Sequence, residues 1–470
     1  MSETTDKFPR LPLKTTWLQN KSQYILHLSF QTHLLIAAII RLALIFYAHV
    51  QDTRSAVPYT DIDYNVVTDG ARLALIGDTP FARHTYRYSP IMAYIQIPNV
   101  ILHPACGKLF YALFDLLLGI LIYALVRFEL QLQYQKELKC LQMKYDKSML
   151  IKSPNLHKEC KETEKMARIS ACFWLYNPLT AVISTRGNGD SVTSFFVLLS
   201  IYLLIKMDHQ ISKALIAFCA GLVHGLVIHL RLYPIVFSLT YYLSLSAAAS
   251  RKSRGLLHMI WPNKQQICLV LGTLLGLAAF TWTFYALYGW KYIYEAYFYH
   301  LIRKDVRHNF SLHFLLQYLS NAEGVDESNL IVKLLVVVPQ LILILYLSLS
   351  FGRFRHTLPF SAFSLAFVIV TYNSVVTSQY FIWYLALLPV CIQHFQRLSL
   401  ARCASLLVLW LCGQALWLLP AYLLEFKTWH TFYWIGIQSS VFFIINSYIL
   451  SQLLRNYRLK SFNVNCTKCL

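Results

Sequence analysis

Long apolar runs alternate with short polar stretches along the entire chain. Runs of roughly 18 or more apolar residues are long enough to cross a bilayer as helices. On this pattern spans fall near 26–49, 106–127, 167–184, 191–206, 213–230, 233–249, 266–288, 330–351, 358–376, 380–396, 400–424 and 431–453, about twelve crossings. The stretch 90–104 is too short and too broken by Pro90, Pro98 and Pro104 for a span, so it reads as re-entrant or interfacial. Met1 to Gln23 is polar and mildly basic, and the run after it is long enough to stay as an anchor, so no cleavable signal is expected. The expectation is an all-α polytopic membrane protein in which residues 1–470 form a single integral membrane domain.

Composition agrees with that class: 57% of the 470 residues are hydrophobic, 15% aromatic and only 14% charged. Charge then sets an orientation. The net charge is +20, and the positive residues gather in loop 128–166 (Lys136, Lys139, Lys144, Lys147, Lys152, Lys158, Lys161, Lys165), loop 250–265 (Arg251, Lys252, Arg254, Lys264), Arg353 and Arg355, and a tail with Arg455, Arg458 and Lys460. Alternating the spans puts all of these, with both termini, on one side, which the positive-inside rule makes cytoplasmic. The charge is thereby explained by orientation and anionic lipid, with no folded basic module for nucleic acid.

The opposite, non-cytoplasmic side receives loop 50–105, segment 185–190, the junction near Arg231, loop 289–329 and the hairpin at Gln379. The first carries Asp61-Ile62-Asp63, two carboxylates just outside a bilayer, suited to act as a base or to hold a cation. A solvated loop start or helix cap is the plain alternative for this pair. The others carry Arg186 and Asn188, His229 and Arg231, a run from His300 through Arg303, Lys304, Arg307 and His308, and Gln379-Tyr380. Acids in one loop and bases in others, on one face of a helical bundle, look like an active site. The basic run also reads as an interfacial stretch against lipid heads, Arg231 as a snorkelling helix end, and Gln379-Tyr380 as a turn closure. The aromatics Tyr288, Trp290, Tyr292, Tyr294, Tyr297 and Tyr299 read as an interfacial belt.

These stretches also carry a resemblance. Tyr59-Thr60-Asp61-Ile62-Asp63-Tyr64, with Thr68 to Arg72 and Thr85-Tyr86-Arg87-Tyr88-Ser89-Pro90, resembles the first large loop of the PIG-M family of GPI mannosyltransferases. Trp174 to Leu179 with Ser184 to Asn188, Tyr299 to Ser311, and Thr377 to Tyr384 are similar to later signatures, in family order from about residue 55 to 390. Gly189-Asp190 stands where the family more often has Ser-Glu, and Ser374 where a basic residue is common. The resemblance implies a GT-C-type endoplasmic-reticulum enzyme. It would transfer the first mannose, α-1,4, from dolichol-phosphate-mannose to glucosaminyl-(acyl)phosphatidylinositol on the luminal side. It also implies a small single-pass stabilising subunit, PIG-X in animals and Pbn1-like in fungi.

A β-linked donor and an α-linked product mean inversion, which needs a base for the attacking 4-hydroxyl. Asp61 is preferred, with Asp63 beside it. Developing charge on the leaving phosphate calls for cations or polar donors, for which Arg87, Arg186, Asn188, Arg231, His300, Arg303, Lys304, Arg307, His308, Gln379 and Tyr380 are the candidates. A lipid monophosphate offers no diphosphate to chelate, and two carboxylates make an incomplete metal site. No cofactor is therefore required, and a divalent metal, if one is used, would meet Asp61 and Asp63. The alternative is another dolichol-phosphate-sugar-dependent GT-C transferase, which architecture alone does not separate; a transporter is the rival class, disfavoured because the acids and bases keep to loops and the two halves do not resemble each other. Cys466-Thr467-Lys468-Cys469 is a lone pair, too few for zinc. The sequon at Asn309 sits in a candidate site loop and that at Asn465 faces the cytoplasm, so neither is expected to carry a glycan.

Overall fold

A computed structural model describes residues 28–55, 57–144, 155–207, 212–246, 261–299, 309–322 and 330–459. Every regular element among them is helical. The elements are α1 (Phe30–Arg54), α2 (Ile62–Leu75), α3 (Pro90–Ile95), α4 (Ile97–Ile101), α5 (Cys106–Lys144), α6 (Asn155–Leu175) and α7 (Pro178–Thr185). There follow α8 (Asp190–Lys206), α9 (Lys213–Leu230), α10 (Ser238–Ser244), α11 (Lys264–Ile293), α12 (Phe314–Ala322) and α13 (Leu330–Phe351). The last are α14 (Leu358–Thr371), α15 (Ile382–Leu385), α16 (Leu388–Cys391), α17 (Leu400–Lys427) and α18 (Phe432–Asn456). Six of the described helices are long and apolar enough to cross a membrane, and α7 with α8, bent by 118°, makes a seventh. The protein is thus a multi-pass helical membrane protein.

Several expected spans are not single rods. The run at 167–184 breaks where Asn177 caps α7 and Pro178 occupies its first turn; proline there lacks the N–H that would continue α6. The run at 233–249 is a 3-10 turn, Tyr233–Phe237, followed by α10. The run at 380–396 is a chain of short helices interrupted by Pro389. Such irregular backbone is tolerated at membrane depth when protein surrounds it; Ile382 to Leu385 and Pro389 to Cys391 are all buried.

Burial follows composition. α14 is apolar all round and nearly every side chain in it is buried, which makes it a central helix. α1 buries one stripe, His33, Ala37, Arg41, Ile45 and Ala48, and leaves Leu35, Ile39, Leu42 and Phe46 outward. α9 and α11 approach closely through Gly221 and Gly225 facing Gly272 and Gly276, where an added Cβ would overlap backbone of the partner helix. Two small-x-x-x-small faces in register allow that contact.

The expectation that acids and bases keep to loops is corrected by the interior. Arg41 of α1 reaches Asp115 of α5 at 2.6 Å, both fully buried. Arg41 also donates to the carbonyl of Leu175 at 3.0 Å, Ser184 donates to Asp115 at 3.0 Å, and the Trp174 indole N–H donates to the Asp115 carbonyl at 2.9 Å. One knot therefore joins α1, α5, α6 and α7. Glu129 of α5 is a second buried acid.

A small apolar cluster lies outside the main core. Tyr64, Val67, Ala71, Phe81, Tyr86 and Met92 of the first loop pack on Tyr111, Val192, Leu230, Phe284 and Tyr292. Loop 50–105 is therefore a folded layer fixed on the ends of α5, α8, α9 and α11. The reading of 90–104 as a non-spanning segment is realised as the short α3 and α4. The aromatic belt is corrected in part: Trp290 and Tyr294 face outward, but Tyr292 is fully buried and Tyr297 hydrogen-bonds to His229 at 2.9 Å. The reversal comes from Gly289 at φ 65°, which turns the end of α11 back onto the cluster.

Removing one partner of a buried ion pair strands the other, at roughly 3–5 kcal/mol. Arg41→Met should accordingly lower the thermal unfolding midpoint of the detergent-solubilised protein sharply. The double change with Asp115→Leu should recover part of the loss; additive losses would remove the pairing as the cause.

Candidate active site

The site is built on the first turn of α2. Asp61 is its N-cap, and its carboxylate accepts the N–H of Asp63 at 3.2 Å. Such a cap satisfies one of the orphan donors of a helix start and places the carboxylate in the positive end of the helix dipole. The plain reading of Asp61 as a cap is therefore realised.

Three contacts fix this turn to the end of α7. The Asp61 N–H donates to the Arg186 carbonyl at 2.9 Å, the Arg186 guanidinium donates to the Tyr59 carbonyl at 2.8 Å, and the Tyr59 and Thr185 hydroxyls lie 2.8 Å apart. Arg186 thus organises the loop that carries the acids. Gly187 follows at φ 95°, and a Cβ there would overlap the Tyr64 ring. Only glycine meets both demands. Lys108 of α5 adds a support by donating to the Thr60 hydroxyl at 2.6 Å and lying 3.8 Å from Asp52.

From this frame Asn188 reaches the site. Its side-chain N–H donates to Gln379 at 3.2 Å and approaches Asp61 at 3.5 Å. Its carbonyl oxygen accepts the Asp190 N–H at 2.9 Å. Asp61, Asn188 and Gln379 come from three distant stretches, as the sequence pattern requires of a shared site.

A second chain of groups starts from Asp63. The Tyr88 phenol lies near enough to Asp63 to feel its charge, and the Tyr88 ring lies 5.3 Å from the Arg231 guanidinium. Arg231 is the extended residue that ends α9, and it pairs with the fully buried Asp190 at 3.0 Å. Tyr380 stands in the 3-10 turn Ser378–Phe381, near enough to Arg231 to act on its charge. It stacks on Trp383 at 4.5 Å, and Trp383 on Tyr233 at 3.9 Å, a continuous aromatic wall.

Burial, and after it the Asp63 charge, push the Asp61 carboxyl above the usual aspartate range; Arg186, Asn188 and the Asp63 N–H oppose this less strongly. Burial, with Asp63 second, pushes the Tyr88 phenol well above its ordinary value, so it stays a proton donor. Among the described residues no group of three or more His, Cys, Asp or Glu converges as a metal site.

Arg87 is placed elsewhere. It pairs with Glu295 at 2.8 Å and covers the Tyr299 ring at 4.1 Å, so it ties the first loop to the stretch after α11. His300, Arg303, Lys304, Arg307 and His308 lie outside the described residues, as do Cys466, Cys469 and the Asn465 sequon. Asn309 is described and fully buried. Its amide donates to the Ser374 carbonyl at 3.0 Å and to Gln317 at 3.1 Å, and it accepts the Val376 N–H at 3.1 Å. The folded chain leaves no room there for a glycan. At Ser374 the backbone carbonyl is what is used: the Ser311 hydroxyl donates to it as well, at 2.7 Å.

Sequence reasoning did not single out Tyr88, Asp190, Lys108, Tyr233 and Trp383 as site residues. Tyr88 and Asp190 stood inside quoted polar motifs, a usable signal. Trp383 stood inside the quoted Thr377–Tyr384 stretch and Tyr233 two residues after Arg231, whereas Lys108 sits at the edge of an apolar run and carries no signal.

Comparison with known proteins gives a consistent result. The model of one family, Mannosyltransferase (PIG-M), matches residues 183–454. The chain is 38% identical over 425 residues to the Danio rerio protein named GPI alpha-1,4-mannosyltransferase I, catalytic subunit, covering 90% of this chain and 95% of the relative. It is 32% identical over 443 residues to GPI mannosyltransferase 1 of Dictyostelium discoideum, covering 90% and 91%. It is 31% identical over 440 residues to GPI mannosyltransferase 1 of Saccharomyces cerevisiae, covering 90% and 94%.

Gly187→Ala should displace the Thr185–Asn188 turn, since left-handed backbone costs a side-chain-bearing residue roughly 1–2 kcal/mol before the overlap with Tyr64 is counted. Limited proteolysis should find new cleavage near residue 187, and an unchanged pattern would contradict the role given to this glycine.

Proposed function

The chain belongs to the PIG-M mannosyltransferase family and is a glycosyltransferase, and from this we propose that it adds an α-1,4-linked mannose to a glycosylphosphatidylinositol precursor. The donor in this reading is dolichol-phosphate-mannose, the acceptor glucosaminyl-(acyl)phosphatidylinositol, and the place the luminal face of the endoplasmic reticulum membrane. The charge pattern supports that orientation, with about twelve crossings, broken helices included, and both termini cytoplasmic. A single-pass subunit of the PIG-X or Pbn1-like kind is the proposed partner.

The observation that carries the mechanism is the Asp61 carboxylate: half-buried, raised in proton affinity, and held between Asn188 and the first turn of α2. A base tuned toward neutral pH is what abstraction from a sugar hydroxyl needs. Asp61 takes the proton of the acceptor 4-hydroxyl as that oxygen attacks the anomeric carbon from the face opposite the phosphate. The C–O bond to the dolichyl phosphate breaks, and the leaving group departs with the electron pair, so β becomes α. Arg231, locked by Asp190 and backed by Tyr88, is the described cation best placed to meet the developing phosphate charge. The bases of 300–308 are kept as further phosphate ligands. Gln379 and Asn188 orient the acceptor, and Tyr380 with Trp383 offers a flat surface to a sugar ring. Nothing in this sequence of events calls for a metal.

Membranes containing the protein and its subunit, given labelled dolichol-phosphate-mannose and acceptor, should yield mannosylated product. Asp61→Asn should cut turnover by about 100-fold or more, the scale of a lost general base, with protein still accumulating; near-normal turnover removes Asp61 from the role. The sign of the pH effect follows from the direction of the shift. With Asp61 raised, the acid limb of the rate should lie above the ordinary aspartate range. Asp63→Asn removes a charge that raises it, so the limb of the residual activity should move to lower pH. Movement to higher pH would contradict the assignment.

A further inference from the structure

A cavity of about 580 Å³ opens at the opposite end of α5 from Asp61. Lys108 marks the Asp61 end, and Glu129 lies about 30 Å further along the helix at 1.5 Å per residue. The cavity is bounded by the far ends of α5, α8 and α9, by the residues after α10, by the start of α11 and by the turn at Arg355. It is separate from the site described above and contains none of its residues.

Its charges are sorted by depth. Glu129 lines the cavity with only 6% of its surface exposed. Neither of its carboxylate oxygens has a hydrogen-bond partner among the described residues, and the Gln133 side-chain oxygen one turn away is likewise unmatched. Lys136, Lys213 and His356 line the same cavity and are exposed, and Arg355 joins them half-buried. The arrangement is an acceptor-rich floor beneath a cationic rim. An acidic group removed from water without a donor is costly, and a bound donor relieves that cost.

We propose that this cavity seats a phosphate ester bearing a primary ammonium, the headgroup of an aminophospholipid. The ammonium donates to Glu129 and Gln133, and the phosphate lies against Lys136, Lys213 and Arg355. A plain anionic headgroup satisfies the rim and leaves Glu129 unmatched. A quaternary ammonium has no N–H to give the floor. The cavity thus distinguishes ethanolamine-type lipid from both. The lipid is the source assigned, because the walls include apolar Leu132, Ile205 and Phe354 beside the polar groups, and because basic residues at a membrane surface hold phosphate headgroups.

The test uses the full chain purified in detergent and exchanged into micelles containing dioleoyl phosphatidylethanolamine, phosphatidylcholine or phosphatidic acid. Native mass spectrometry reads retained lipid. Phosphatidylethanolamine should be retained about tenfold better than the other two, the scale of one charge-assisted hydrogen-bonded contact. Glu129→Gln should erase its advantage over phosphatidylcholine, and Lys136→Ala should weaken both. Equal retention of phosphatidylethanolamine and phosphatidylcholine by the native chain overturns the proposal, as does an unchanged preference in Glu129→Gln. If that variant does not accumulate, the native preference alone decides. Displacement by soluble phosphoethanolamine at equal concentration overturns the lipid source. Because the readout is lipid retention, the result stands apart from that of the mannosyl-transfer assay.

Discussion

The buried pair of Arg41 and Asp115 is the interaction on which the placement of the site rests. Two charges in a low-dielectric interior are tolerated when they are matched at close range and supported by further hydrogen bonds. Here the match requires α1 beside α5, the end of α6 against Arg41, and Ser184 of α7 against Asp115. Those demands fix α7 in direction and depth. The residues that follow Ser184 are the ones that hold Tyr59 and Asp61 by backbone contacts. A buried polar knot between helices therefore sets where the Asp61 carboxylate stands.

Around that fixed turn the polar groups divide into two linked sets. Asp61, Asn188 and Gln379 form one, and Asp63, Tyr88, Arg231 and Asp190 the other. The first ends in an acid of raised proton affinity, and the second in a cation held by a buried partner. Asp61 and Asp63 are joined through the first turn of α2. Tyr380, Trp383 and Tyr233 stack one on the next in a continuous row of rings. The arrangement suits a reaction in which a proton leaves on one side while negative charge grows on the other.

Much of this was legible in the sequence, for identifiable reasons. Hydropathy is additive along the chain, so the helical membrane class and the polar segments of one face could be read directly. The Asp-x-Asp loop and the segments at Asn188, Arg231 and Gln379 stood out because polar residues are costly near apolar runs. What could not be read depends on partners distant in the chain. The pairing of Arg41 with Asp115 is invisible without the packing of α1 on α5. The partner of Arg87, Glu295, lies far along the chain from it. Tyr292 and Tyr297 looked interfacial until the turn at Gly289 folded them inward. The breaks at Pro178 and through 378–394 fall inside runs whose average hydropathy is that of a continuous span.

In the proposed mechanism Asp61 holds two offices at once, helix cap and proton acceptor. A carboxylate accepts a hydrogen bond from an N–H well, and the neutral acid accepts it poorly. Each time Asp61 takes a proton, the start of α2 loses part of what pins it, and regains it when the proton departs. The charge state of one side chain is in this way written into the firmness of the backbone that carries it. The loop is tightest when ready to react and slackest just after, when a bulky glycolipid product has to leave.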